Sequence, residues 1–198
     1  MLINIYVQER MTAKNPEQSA MMNCAMNFGV VVGGYNIVKF CLFPLSLHST
    51  MAALLFLGMT LVLPFLIFQL VKRYRDQYCG GRIVFSRALV FSVFTMVFGS
   101  LLVSVAHYIY FAFIENGAMA EALMRSIEQL QSVDLNALEG VDSDAMAQFD
   151  QYIEAVRQTA SQLQAMSPIE MTIGMLSNNF SWSVVLSLPI ALVVKKIN

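Results

Sequence analysis

The sequence predicts an all-α protein: a four-helix transmembrane bundle with an extracytoplasmic amphipathic helical hairpin between spans three and four. Hydrophobic residues make up 57% of the 198 positions and charged residues only 13%, whereas soluble domains average about 25% charged residues. Apolar stretches long enough to cross a bilayer occur four times, each near the length of about 20 residues that a helix needs. Because a backbone in lipid must satisfy its own hydrogen bonds, these stretches are expected to be helices.

Local signals mark where two of the predicted spans begin. The four spans cover residues 21–47, 50–71, 86–113 and 171–194. The stretch "KNPEQ" offers Asn15 as N-cap and Pro16 as first helical residue, and "MSPIEM" places Ser167 and Glu170 at the spacing of a capping box. Pro44 is expected to end the first span.

The distribution of basic residues predicts how the chain is oriented. Nine of the twelve lie in the N-terminal segment 1–20, in the loop 72–87 and at the end of segment 171–198. With three spans in segment 21–113 and a fourth after it, all three basic regions fall on the cytoplasmic side. Segment 114–170 carries ten acidic and two basic residues and is therefore expected to face outward.

The outward segment is predicted to fold as an antiparallel pair of helices. Apolar residues recur at helical spacing in two series: Met119, Leu123, Ile127 and Leu130, then Met146, Phe149, Ile153, Val156, Ala160 and Leu163. The turn is placed at Gly140, with Asp142 or Ser143 as cap of the second helix. Each apolar stripe is expected to be buried against the other one or against a partner.

A polar layer crosses the predicted spans at one depth, about 10 Å below the outer surface at 1.5 Å per residue. It comprises Lys39, His107, Asn178 and Asn179, with Tyr108 as a further donor. The functional interpretation is an outward-facing site for a lipid phosphate or a carboxylate, since a charge within a span is costly and often functional. The structural alternative is that Lys39 snorkels, His107 and Tyr108 join an interfacial aromatic belt, and the asparagines bond neighbouring helices.

Two further groups of residues are candidates by type and position. Arg73, Arg75 and Arg82 are expected to hold anionic lipid headgroups or an acidic partner surface, and the positive-inside rule alone also accounts for them. Small residues that let membrane helices approach closely predict packing contacts; they are Gly29, Gly33, Gly99, Ser100 and Ser104.

No motif in the sequence predicts catalysis. Metalloprotease, α/β-hydrolase, P-loop and dinucleotide-binding signatures are absent, and the three cysteines lack metal-ligand spacing. A net charge of −1 gives no indication of nucleic-acid binding. We expect a non-enzymatic bilayer protein without cofactor or metal, an accessory or scaffold protein that assembles with itself or with an envelope-biosynthesis enzyme. The alternative is a small transporter or a lipid- or anion-handling protein with its site around Lys39 and His107.

Three stretches carry a family resemblance: "FGVVVGG", "KRYRDQYCGGRIVFSRALVFSVFTMVFGSLLVSVAHYIYFAFIENG" and "SLPIALVVKK". With the pairs Arg75–Asp76 and Gly80–Gly81, they resemble a bacterial membrane family known only as domain of unknown function four-one-nine-nine. The resemblance covers most of the chain outside the hairpin. It implies a four-span protein of a Gram-negative inner membrane. Together with the orientation predicted from the basic residues, this places both termini in the cytoplasm and residues 114–170 in the periplasm. The resemblance also implies a partner of the polyprenyl-phosphate glycosyltransferase type.

Overall fold

Six helices make up most of residues 16–132 and 143–196, the part of the chain that a computed structural model describes. They are α1 (Pro16–Ser46), α2 (Thr50–Tyr78), α3 (Phe85–Phe113), α4 (Ala118–Gln131), α5 (Ser143–Ala165) and α6 (Pro168–Val194). Helices α1, α2, α3 and α6 are long and apolar enough to cross a membrane. The all-α class is therefore confirmed, with a sufficiently long and apolar helix at each of the four predicted spans, and the described ranges contain no strand.

The predicted capping box at the start of α6 is present. The Ser167 hydroxyl accepts a hydrogen bond from the Glu170 backbone N–H at 3.4 Å, and the Glu170 carboxylate accepts one from the Ser167 N–H at 2.7 Å. Both donors would otherwise lack an intrahelical partner, so the box favours a helix start at this point. Helix α1 begins at Pro16 as predicted, whereas its predicted cap, Asn15, lies outside the described residues.

The prediction that Pro44 ends the first span is wrong, because α1 continues to Ser46. A proline removes one backbone donor, here the partner of the Phe40 carbonyl four residues earlier, and membrane helices tolerate this loss where neighbouring groups satisfy the freed carbonyl. Pro44 therefore lies within α1 and does not end it. Helix α2 extends beyond its predicted limit at residue 71 and ends at Tyr78, so that much of the basic loop is helical.

Helix α3 is the centre of the bundle. It packs against α1 on one side and α6 on the other, while α2 lies against α1 and makes smaller contacts with α6 and α3. The core at the end where α3 begins includes Phe91, which is fully buried and stacks on Tyr74 of α2 with ring centroids 3.8 Å apart. We call this end the basic end, after the residues of 72–87 and 195–196, and the opposite one the hairpin end.

Helices α1 and α3 cross in close contact at their glycines. A Cβ placed on Gly29 would lie 2.6 Å from the Cβ of Phe98, and one placed on Gly33 would lie 3.1 Å from the backbone oxygen of Gly99. A Cβ on Gly99 would likewise lie 3.0 Å from the Cβ of Val32. Real Cβ atoms essentially never approach within 3.0 Å, and contacts of 3.0–3.4 Å are tighter than nine in ten real ones, so the crossing favours residues without side chains at these positions.

The two helices of the outward segment, α4 and α5, pack against each other. Ile127 of α4 and both Ile153 and Ala160 of α5 are buried, all of them members of the predicted apolar stripes. The connection between the helices lies outside the described residues, and so do Gly140 and Asp142. Which side of the membrane this hairpin occupies stays a prediction from its acidic composition.

Candidate functional site

Lys39 and His107 come together near the hairpin end, where α1 faces α3. Lys39 is half-buried, and its Nζ lies 5.6 Å from the ring centroid of Phe56 on α2, within the range of a cation–π interaction. His107 is only 5% exposed. Phe40, the residue after Lys39 on α1, contacts the imidazole of His107 directly. Lys39 and His107 therefore both face the interior of the bundle.

Aromatic rings occupy the space around His107. The ring of Phe40 meets the imidazole edge-on with centroids 4.3 Å apart, and it also packs against Tyr110 at 5.3 Å and Phe43 at 5.6 Å. Helical spacing explains the arrangement, since residues three apart share a face on both α1 and α3. Within the described part of the chain, the buried Nδ1 of His107 has no hydrogen-bond partner. The surroundings of His107 are thus a packed aromatic cluster.

The other residues of the predicted polar layer lie apart from this pair. Tyr108 is 44% exposed, because one residue further along a helix turns the side chain by about 100° away from His107. Asn178 is exposed on α6, and Asn179 is half-buried there, with its backbone oxygen accepting a hydrogen bond from Ser183 at 2.7 Å. Of the five predicted ligand-binding residues, the structure brings together two.

A cavity of about 230 Å³ lies where the hairpin meets the bundle. Its walls include Phe111, Met119 and Met171, together with the polar side chains of Glu115 and Gln164. The Glu115 carboxylate accepts hydrogen bonds from the backbone N–H groups of Gly117 at 3.2 Å and Met119 at 2.8 Å, and so caps the start of α4. Neither Lys39 nor His107 lines this cavity.

The predicted arginines lie at the basic end in different environments. Arg75 is largely buried, pairs with Asp76 at 2.8 Å and donates from Nη1 to the Val194 carbonyl at 3.1 Å, where α6 ends. Arg73 is exposed and donates to Gln77 within α2 at 3.1 Å. Arg82 is exposed in the turn after α2. Gly80 and Gly81 form the start of this turn, with positive φ angles of 60° and 80°.

The serines predicted for helix packing bond within their own helix. The buried Ser100 hydroxyl donates to the Met96 carbonyl at 2.9 Å, and the hydroxyl of Ser104 donates to the Leu101 carbonyl at 2.7 Å. A buried bond between helices instead joins Ser187 of α6 to Ser92 of α3, with 2.8 Å between the hydroxyl oxygens. The signal that could have found it is the series Ser183 and Ser187, four residues apart on one face of α6.

In the described ranges, no three His, Cys, Asp or Glu residues lie close enough together to hold a metal ion. A family model described as "Protein of unknown function (DUF4199)" matches residues 27–196. The chain belongs to this family. The DUF4199 region begins inside α1 and ends beyond α6, so it includes the Lys39–His107 pair, the hairpin and the basic end. No curated protein and no solved structure matches this DUF4199 chain.

Proposed function

We propose that this integral membrane protein of the DUF4199 family is a non-enzymatic accessory or scaffold protein. The observation that supports it is the packing around His107. Binding sites for small molecules are concave and have room for their ligand, whereas here the imidazole is 95% buried, with the ring of Phe40 at 4.3 Å. The polar layer therefore fits a structural role within the bundle.

A polar residue on the outer surface of α6 fits assembly with a partner. Asn178 is exposed about 15 Å from the start of the helix, at 1.5 Å per residue, which is within the apolar layer of a membrane. An amide in lipid without a hydrogen-bond partner is costly, and amides that bond across helices stabilise helix association. Gly174 is exposed one turn earlier, which leaves room for close approach. The partner is a second copy or a membrane enzyme of envelope biosynthesis, with the polyprenyl-phosphate glycosyltransferase type as the first to test.

The alternative function is transport, or the handling of a lipid or an anion around Lys39 and His107. The inward position of these two side chains favours it, but neither of them lines the cavity at the hairpin end. Substituting Lys39→Leu distinguishes the functions. A scaffold keeps its partner when Lys39 is replaced, whereas an anion-handling protein loses its ligand.

Affinity purification from native membranes tests the proposal. The tag belongs at the N-terminus, since Lys196 near the other end is hydrogen-bonded to Ile83. We expect a stoichiometric companion chain, or a second copy, with the native protein and with the control Thr60→Leu, another exposed polar position in a span. The variant Asn178→Leu should purify without this companion chain or second copy. A native protein that purifies alone as a monomer would contradict the proposal.

A further inference from the structure

The basic end of the bundle is an ordered platform made of three chain segments. The backbones of Ile83 and Lys196 exchange two hydrogen bonds, at 3.1 and 3.0 Å, which tie the residues after α6 to the turn after α2. The Arg75 guanidinium adds a contact of 3.1 Å to the Val194 carbonyl. The end of α2, the turn after it and the segment after α6 are thereby held side by side.

This platform carries a large excess of positive charge. Segments 72–87 and 195–196 contain seven basic residues and a single acidic one, Asp76. Lys72, Arg75 and Lys196 all lie within electrostatic range of that carboxylate and hold its pKa below the usual value, with the hydrogen bond from Arg75 as the largest cause. Arg75 forms the direct ion pair with it at 2.8 Å. One carboxylate cannot neutralise three cations, and the lysines retain capacity for a further anion.

The orientation of the chain in the membrane does not by itself require that these basic segments be held in fixed positions. The positive-inside rule depends on the number of basic residues near the ends of spans, and loosely held charges satisfy it equally well. Recognition of a phosphate differs, because several donors must converge on one group. Basic pockets between the ends of membrane helices are known to bind anionic headgroups. The hydrogen bonds between Ile83 and Lys196 hold the backbone of Lys196 beside the turn after α2, an order that orientation does not need.

We propose that this platform binds the headgroup phosphate of an anionic phospholipid from the adjacent leaflet. Lys72 and Lys196 contact the phosphate, and Arg82, next to the bridged Ile83, adds charge at the rim. Arg75 is a positioning residue, since its guanidinium is bonded to Asp76 and Val194. The proposal does not depend on the scaffold function.

The test titrates the purified full chain in detergent with phosphatidylglycerol and, as neutral reference, phosphatidylcholine. Bound lipid is counted by native mass spectrometry, and the thermal midpoint is followed in parallel. We expect phosphatidylglycerol, but not phosphatidylcholine, to bind and to raise the thermal midpoint. In Lys72→Gln/Lys196→Gln, affinity should fall by on the order of 25-fold, since each basic residue near a membrane surface contributes roughly a factor of five. Both side chains are exposed, so the lipid-free midpoint should stay unchanged.

The matched control removes two positive charges from the hairpin. Arg125 and Arg157 form exposed pairs with Glu121 and Glu154, and such pairs contribute little to stability. Arg125→Gln/Arg157→Gln should bind phosphatidylglycerol as the native chain does. Equal binding of both lipids, or equal losses in both double variants, would overturn the proposal. So would a full midpoint shift with soluble glycerol phosphate, because the platform would then bind free phosphates.

Discussion

Adding one methyl group at Gly29 tests the close contact between α1 and α3. In Gly29→Ala the new Cβ would meet the Cβ of Phe98 at 2.6 Å, whereas ordinary contacts begin at 3.4 Å. Both carbons are bonded directly to helical backbone, so no side-chain rotation relieves the overlap. The two helices must separate locally by about 0.8 Å, the difference between these distances.

The magnitude follows from two opposing effects. A gap of about 0.5–1 Å removes roughly a quarter to a half of the dispersion attraction of each contact, and overpacking a core costs about 1–3 kcal/mol. Alanine also favours a helix over glycine by about 1 kcal/mol. Gly34→Ala on the same helix shares this gain, but its Cβ would meet nothing within 4 Å. The free energy of unfolding should therefore be lower in Gly29→Ala than in Gly34→Ala by about 1–3 kcal/mol.

Thermal unfolding in detergent, followed by loss of helical circular dichroism, measures the difference. At about 2–4 °C per kcal/mol for a chain of this size, the midpoint of Gly29→Ala should lie roughly 2–12 °C below that of Gly34→Ala. Comparing the two variants cancels the helix-propensity gain that they share. Equal midpoints, or a higher one for Gly29→Ala, would refute the close crossing of α1 and α3.

Two other substitutions test the core by the same measurement. Ser187→Ala removes the buried bond of 2.8 Å to Ser92 and should lower the free energy of unfolding by about 0.6–1.7 kcal/mol, whereas Ser181→Ala, at an exposed position, should not. Phe91→Ala should cost about 3–5 kcal/mol, because the ring is fully buried, while Phe65→Ala, at a position 72% exposed, should leave the midpoint unchanged. A substitution that behaves like its control would contradict the packing described for that residue.

The features that could be predicted from the sequence depend on local patterns. The spans are visible because each is a continuous apolar stretch of sufficient length, and the start of α6 is visible because a capping box involves only residues 167–170. The end of α1 was harder to place, since a membrane helix tolerates a proline within it, and Pro44 therefore does not fix where the helix ends.

For the candidate site, only the depth of its residues in the membrane could be predicted from the sequence. Counting residues from span ends gives the height of a side chain in the membrane, whereas the direction it faces depends on how each helix is rotated against its neighbours. Lys39 and His107 face inward, but Asn178 at a similar predicted height faces outward. The bond between Ile83 and Lys196 joins residues more than a hundred positions apart, and no local pattern announces such a contact.

The position of α3 between α1 and α6 has a consequence for membrane insertion. Helices enter the bilayer in chain order and associate afterwards, yet the glycine surface of α1 meets its partner on α3 and bypasses α2. After the first two helices have inserted, that surface is still covered by lipid. It becomes part of the core only when the third helix arrives, so a chain interrupted after α2 would lack its tightest contact.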